Sequence, residues 1–187
     1  MAPDLAAFLA RHMPLAEELA VWGAGTLPLR ITAYLGSESP PLPYITSVRG
    51  LIFRDDALLV LRNLDGAHIM PGGRREAGET LEETLRREVL EETGWTVRAP
   101  AMLGFMHLHH LSPRPPGQPY PHPDFAQVVY IAEAERYVPD ARVPDDYEID
   151  ARFRPLSTVE APELSPGEQV YLATALRRRA DADRGRR

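Results

Sequence analysis

One stretch decides the fold: Gly72-Gly73-Arg74-Arg75-Glu76-Ala77-Gly78-Glu79-Thr80-Leu81-Glu82-Glu83-Thr84-Leu85-Arg86-Arg87-Glu88-Val89-Leu90-Glu91-Glu92-Thr93-Gly94-Trp95. Its second half predicts a helix over Thr80–Glu92. Thr80 with Glu83 three residues on forms a capping box, and Gly94 supplies the stop. At about 100° per residue, Leu81, Leu85 and Val89 make an apolar stripe that must face a sheet. Glu88 lies seven residues beyond Leu81, and Glu92 seven beyond Leu85, so both fall on or near that stripe. Glu91 sits beside them, while Glu82, Glu83 and Arg86 take the solvent side. The inward face is therefore hydrocarbon over its first two turns and carboxylate over its last two.

Burying carboxylates that close together is costly unless cations neutralise them. Three hard oxygen donors in one cluster suit Mg²⁺ or Mn²⁺. A solvated, charged helix is the competing reading, and it leaves acids on an apolar stripe unexplained. Arg87 can pair with Glu83 or Glu91 on one flank. The loop before the helix points the same way: Gly72 and Gly73 allow close backbone approach, and a carbonyl there could complete a coordination shell. Glu79 falls near the helix N-terminus, where negative charge is favoured.

Outward from this stretch, apolar runs at Ile45–Arg54 and Ala57–Arg62 flank Asp55-Asp56, a hairpin signal, and His68–Met70 is a short extended piece. Strands are expected at Ala101–Leu108, Phe125–Ala134 and around Ile149–Leu156, with a Pro-dense loop over Ser112–Asp124. A last helix begins after Ser165-Pro166 and runs to about Arg179, and the charged tail beyond Arg177 is expected to fray. At the N-terminal end Leu5, Phe8, Leu9, His12 and Met13 share a helical face. Pro14 ends or kinks that helix, and Leu15–Trp22 is expected to resume it before a strand at Leu27–Leu35 and a Pro-rich linker. The expected fold is α/β (α+β), a mixed sheet between helices. Residues 1–43 read as an extension packing on the main body or on a second copy, 44–180 as the main domain, and 181–187 as a flexible tail.

The chain has 187 residues and a net charge of −6. That length suits one domain with an appendage, and the acidic balance disfavours nucleic acid as a bulk partner. No run approaches the roughly 20 apolar residues of a membrane helix, and no secretory signal is visible, which fits a cytoplasmic address. With no Cys, disulfides, thiolate nucleophiles and Cys-based zinc sites are all excluded. All 21 basic residues are Arg, so any phosphate held by a side-chain cation is held by Arg.

Gly73 to Trp95 resembles an intact Nudix box: Gly, five residues, Glu79, seven residues, Arg87-Glu88, Val89, any residue, Glu91-Glu92, any residue, Gly94, and an apolar position. Every fixed position is filled. The resemblance implies a Nudix-type α/β/α sandwich and metal-dependent hydrolysis of the diphosphate linkage in a nucleoside diphosphate derivative. An NTP, ADP-ribose or another nucleotide sugar, and a dinucleoside polyphosphate all remain open as substrates. It further implies that Glu88 and Glu92 bind Mg²⁺ or Mn²⁺ with the Gly72 carbonyl, that Glu91 is a ligand or their neighbour, and that Glu88 is a candidate general base. Arg87 and Glu79 would orient the cluster. The alternative within the family is a non-catalytic module that binds an ADP-ribose-like ligand. Such modules usually carry a degraded box and a DNA-binding domain. Diphosphate isomerisation, the other alternative, relies on a Cys that this chain lacks.

Family members often recruit one more acid. Glu133 shares a strand face with Val129 and Ile131 and is a metal candidate on that ground, with Glu148 a weaker one and Asp145-Asp146 a turn. Arg49, Arg54 and Arg62 could reach phosphate from the first strands. Tyr120, His122 or Phe125 could stack on a base. His107, His109 and His110 resemble a metal cluster, but only His107 and His109 share a face, and polar strand-end packing is the expectation. A homodimer through the N-terminal extension is a further expectation.

Overall fold

In the computed structural model, residues 1–187 are described except 24, 64–65, 115–116, 118–119, 144–147, 160–163, 186–187 and the side chains of 148–149. The elements are α1 (Pro3–Leu9), β1 (Pro14–Trp22), β2 (Leu27–Leu35), β3 (Ile45–Arg54), β4 (Ala57–Asn63), β5 (Gly66–His68), α2 (Leu81–Thr93), β6 (Trp95–His110), β7 (Asp124–Tyr137), β8 (Glu148–Pro155) and α3 (Pro166–Arg184). The strands form one mixed sheet in the order β1-β2-β6-β7-β3-β4-β5, with β8 also paired to β4. β3 and β7 run parallel.

Alternation along the strands gives the sheet two apolar faces. On one, Leu29, Leu51, Phe53, Leu108 and Val129 pack against Tyr171 and Ala175 of α3. On the other, Val48, Ile52, Leu59, Val128 and Tyr130 pack against Leu85 and Val89 of α2. α1 adds Leu5, Phe8 and Leu9 to Tyr34 and Phe105. The expected sandwich of a mixed sheet between helices is the observed fold. No helix among the described residues is long and apolar enough to cross a membrane.

Two expectations from the sequence are corrected. Leu15–Trp22 is a strand, not a resumed helix: it pairs antiparallel with β2 from Ala16↔Ala33 to Trp22↔Leu27. The ladder with β2 outweighs a weak helical pattern, Pro14 sits where its missing N–H costs least, and Met13 is 74% exposed rather than on an apolar face. The last helix continues past Arg179 to Arg184. It is held there because Arg178 donates to the Met102 carbonyl at 2.8 Å and Arg179 to the Asp55 carbonyl at 2.7 Å.

One irregularity positions the site. β3 and β4 pair only at Phe53↔Leu58 and Arg54↔Ala57. Towards its start β3 parts from β4, and the loop after β5 fills the gap. The Val48 N–H donates to the Gly73 carbonyl at 3.0 Å, Gly50 to Pro71 at 2.9 Å, and Arg75 back to Thr46 at 3.0 Å. The glycine pair is thereby fixed at the level of the sheet.

Candidate active site

α2 is built as its sequence predicts. Thr80 Oγ1 accepts from the Glu83 N–H at 3.2 Å, and the Thr80 N–H donates to Glu83 Oε2 at 2.8 Å. Its last carbonyls are also taken: Leu90 by the Gly94 N–H, Glu91 by the Val143 N–H (both 2.8 Å) and Glu92 by Arg142 Nε at 3.0 Å. Both helix ends are thus capped. The end that carries Glu88, Glu91 and Glu92 is pinned between the sheet and residues 142–143.

The acids meet the glycine loop. The Gly72 N–H donates to Glu92 Oε2 at 2.9 Å. The Glu88 carboxylate lies so close to Gly73 that a Cβ there would fall 2.3 Å from its Oε2. Gly72 itself has φ 136°, and a Cβ on it would come within 2.3 Å of the Val48 carbonyl. Gly72 therefore requires glycine for its backbone conformation and its contact with β3, while glycine at 73 leaves room for the Glu88 carboxylate.

Arg87 ties the acids together. Its Nε donates to Glu79 Oε1 at 2.6 Å, its Nη1 to Glu88 at 2.9 Å and Glu91 at 3.1 Å, and its Nη2 to the Arg74 carbonyl at 2.9 Å. Of the two partners expected for Arg87, Glu91 is one. Glu83 is not, because the capping box engages it. The hydrogen bond from Arg87 is the main cause that holds the Glu79 carboxyl down at about 2. Burial pushes the Glu88 carboxyl above the usual range, against the pull of Arg87 and Arg49.

Beside the acids opens a cavity of about 750 Å³, lined among others by Gly72, Glu92, Arg49, Arg74, His68 and Gln127. Arg49 donates to the Gly72 carbonyl. Burial, then the charge of Arg49, lowers His68 to about 4, so its ring is neutral at pH 7. A smaller cavity of about 290 Å³ adjoins it, walled by Trp22, Leu29, Tyr120 and Phe125. Arg74 stacks over the Tyr120 ring at 4.6 Å.

The residues expected from the sequence fall into two sets. Gly72, Glu79, Arg87, Glu88, Glu91 and Glu92 come together, with Arg49 and Tyr120 on the adjoining cavities. Glu133 does not join them: it lies on the α3 face of the sheet, paired with Arg179. Arg62 is exposed on β4 and lines neither cavity. Arg54 stacks on Phe153 at 4.3 Å and Trp95 at 5.0 Å. His107 and His109 both bond to Asp124 Oδ1, at 2.9 and 2.8 Å, as strand-end packing. Asp145 and Asp146 and the Glu148 side chain lie outside the described residues. Trp22, Ser47, Arg74 and Gln127 also line the cavities, and sequence reasoning missed them; His110, read from the sequence with the other two histidines, lines the smaller cavity. Gln127 had a legible signal, a polar residue on the same side of its strand as Phe125 and Val129.

The donor set suits a hard divalent cation in kind: carboxylates of Glu88, Glu91 and Glu92 and the Gly72 carbonyl. The acids occupy the negative end of the α2 dipole, whose last turn holds no basic residue of its own; Arg142 on the Glu92 carbonyl supplies one cation there, and further positive charge is favoured. As placed, no three acidic or imidazole side chains among the described residues converge on one point suitable for an ion. The fit is one of donor chemistry and charge.

Comparison with known proteins agrees with this geometry. The NUDIX domain family matches residues 43–177. The chain is 35% identical over 85 residues to the NAD-capped RNA hydrolase NudC of Escherichia coli O157:H7, covering 44% of this chain and 28% of that protein. It is 35% identical over 72 residues to an ADP-ribose pyrophosphatase of Methanocaldococcus jannaschii, covering 36% and 43% respectively. The matched stretch thus spans less than half of either relative. Among solved structures, the Bacillus subtilis pyrophosphohydrolase BsRppH superposes with a TM-score of 0.58 at 17% identity, covering 88% of this chain and 97% of that one. A NUDIX hydrolase from Nitrosomonas europaea gives 0.52 at 19% identity, covering 71% and 87%. These last two likenesses are of fold alone. With a full box on a pinned helix, a matching fold and a family match over most of its length, the chain belongs to the Nudix family.

Proposed function

We propose that this chain hydrolyses the diphosphate linkage of a nucleoside diphosphate derivative with the help of Mg²⁺ or Mn²⁺. The observation that carries the reading is the meeting of Glu88 and Glu92 with Gly72-Gly73 at the edge of an arginine-lined cavity. Glu88, Glu91, Glu92 and the Gly72 carbonyl would hold the ion. When bound, it would supply charge neutralisation for the bridging phosphates and a more acidic water. Arg49 and Arg74 bind the phosphates, and the all-Arg composition makes bidentate contact available. The Glu88 carboxylate takes the proton of the attacking water. Arg87 and Glu79 are positioning residues: their mutual bonds fix where the Glu88 carboxylate stands. Such a displacement needs positioned charge more than covalent chemistry. The exposed apolar row Leu15, Leu19 and Val21 on edge strand β1 supports the further reading that two copies associate there.

The test is a hydrolysis screen over nucleoside diphosphate derivatives with Mg²⁺ and with Mn²⁺, read by chromatography of the phosphomonoester products, because cleavage of such a linkage sets free no inorganic phosphate. The names of the relatives make ADP-ribose and NAD-capped RNA first choices. Glu92→Gln keeps an oxygen for the Gly72 N–H but removes the charge, so turnover should fall by about 10²-fold or more with the fold intact by circular dichroism. Wild-type turnover in that variant contradicts the proposal. Saturable binding of one compound with no turnover of any would assign a regulatory binding role instead.

A further inference from the structure

Ser47 and His110 line the smaller cavity, and behind its surface Ser47 Oγ and His110 Nδ1 are buried without a hydrogen-bond partner among the described residues. A third polar residue, Gln127, is 5% exposed, and its carboxamide makes no hydrogen bond among the described residues. Leaving polar groups buried and unpaired is expensive, and native interiors rarely do so without a reason. These three residues stand on neighbouring strands, β3, β6 and β7, on the α3 face, and all three line one cavity. Trp22, Leu29, Tyr120 and Phe125 give it apolar walls, and Arg49 and Arg74 line the side that it shares with the larger cavity.

We propose that this cavity seats the nucleobase of the substrate and that Gln127 is the specificity-determining residue that reads the edge of the ring. At about 290 Å³ the cavity lies at the low end of small-molecule sites, room for one ring system rather than a whole dinucleotide. Aromatic walls accept the faces of a base, and a carboxamide offers one donor and one acceptor side by side, the complement of a base edge. Burial, reinforced by His122 and His109, lowers the pKa of the His110 ring below the ordinary imidazole value. Trp22, Arg49, Arg74 and Gln127 line both cavities. A base seated in the smaller one therefore directs its phosphates past Arg49 and Arg74 towards Gly72 and Glu92. The orientation rests on the function proposed above; the binding itself does not.

The experiment is calorimetry on the full chain in EDTA, so that no turnover intervenes, with AMP, GMP and ribose 5-phosphate as probes. At least one nucleotide should bind about tenfold or more tightly than ribose 5-phosphate. Gln127→Leu should abolish that preference while leaving ribose 5-phosphate affinity unchanged. The isosteric Gln127→Glu, which exchanges the donor for an acceptor, should shift the preference between AMP and GMP and serves if the leucine variant fails to fold. Equal affinity of wild type for all three probes overturns the proposal, as does a preference that survives in both variants. Base-selective binding without hydrolysis would refute only the proposed function; hydrolysis without base preference would refute only this inference.

Discussion

In Gly73→Ala the added Cβ would stand 2.3 Å from Oε2 and 2.4 Å from Cδ of Glu88. Ordinary contact begins at 3.4 Å, so the carboxylate must retreat by about 1.1 Å. It can do so because it is the far end of a flexible side chain, and Gly73 is not among the residues with positive φ, so alanine fits the backbone. The fold should therefore stay within about 1 kcal/mol of wild type. The chemistry should not: a misplacement of about 1 Å typically costs on the order of 10²-fold. The assay is kcat/KM on the best substrate of the screen, paired with urea unfolding. Gly72→Ala is the contrasting variant. There the obstacle is the Val48 carbonyl at 2.3 Å and the φ of 136° is one that L residues rarely adopt, so folding stability should fall along with activity. If Gly73→Ala keeps kcat/KM within about threefold of wild type, the placement of Glu88 against the loop is not what sets the rate, and the reasoning fails.

Glu79, held down at about 2, contributes stability that is fully present above its unfolded value of about 4.3 and is lost as the pH falls towards 2. Glu79→Gln should therefore be less stable than wild type at pH 7, with the gap closing in acid; parallel unfolding curves at all pH values would contradict the ion pair. Tyr171 is fully buried and donates to the Phe105 carbonyl at 2.6 Å, so Tyr171→Phe should lower stability by about 1–3 kcal/mol in urea unfolding. Leu85→Ala empties the contact between α2 and the sheet and should cost about 2–5 kcal/mol, measured the same way.

The helix with its acids is legible in the sequence because its determinants are local. A capping box, a period of 3.6 and a terminal glycine act within a few residues, so spacing alone places Thr80, Leu85, Val89, Glu88, Glu92 and Gly94. Glu133 shows where local reasoning stops. Its alternation with Val129 and Ile131 holds, but alternation cannot say which face α2 will cover, and Arg179 claims that carboxylate from the other side. Leu15–Trp22 departs from its helical pattern for a related reason: a strand is stabilised by a partner, and β2 is not visible in the segment itself.

The residue order therefore dictates the chemistry of one helix and the loop before it. The cavities arise at a different level, through strand pairing. Trp22, Ser47, His110 and Gln127 are scattered over 106 positions of chain, and they meet because the sheet orders its strands β1-β2-β6-β7-β3. Hydrogen bonds between strands remote in sequence fix that order, and no window of local residues contains it.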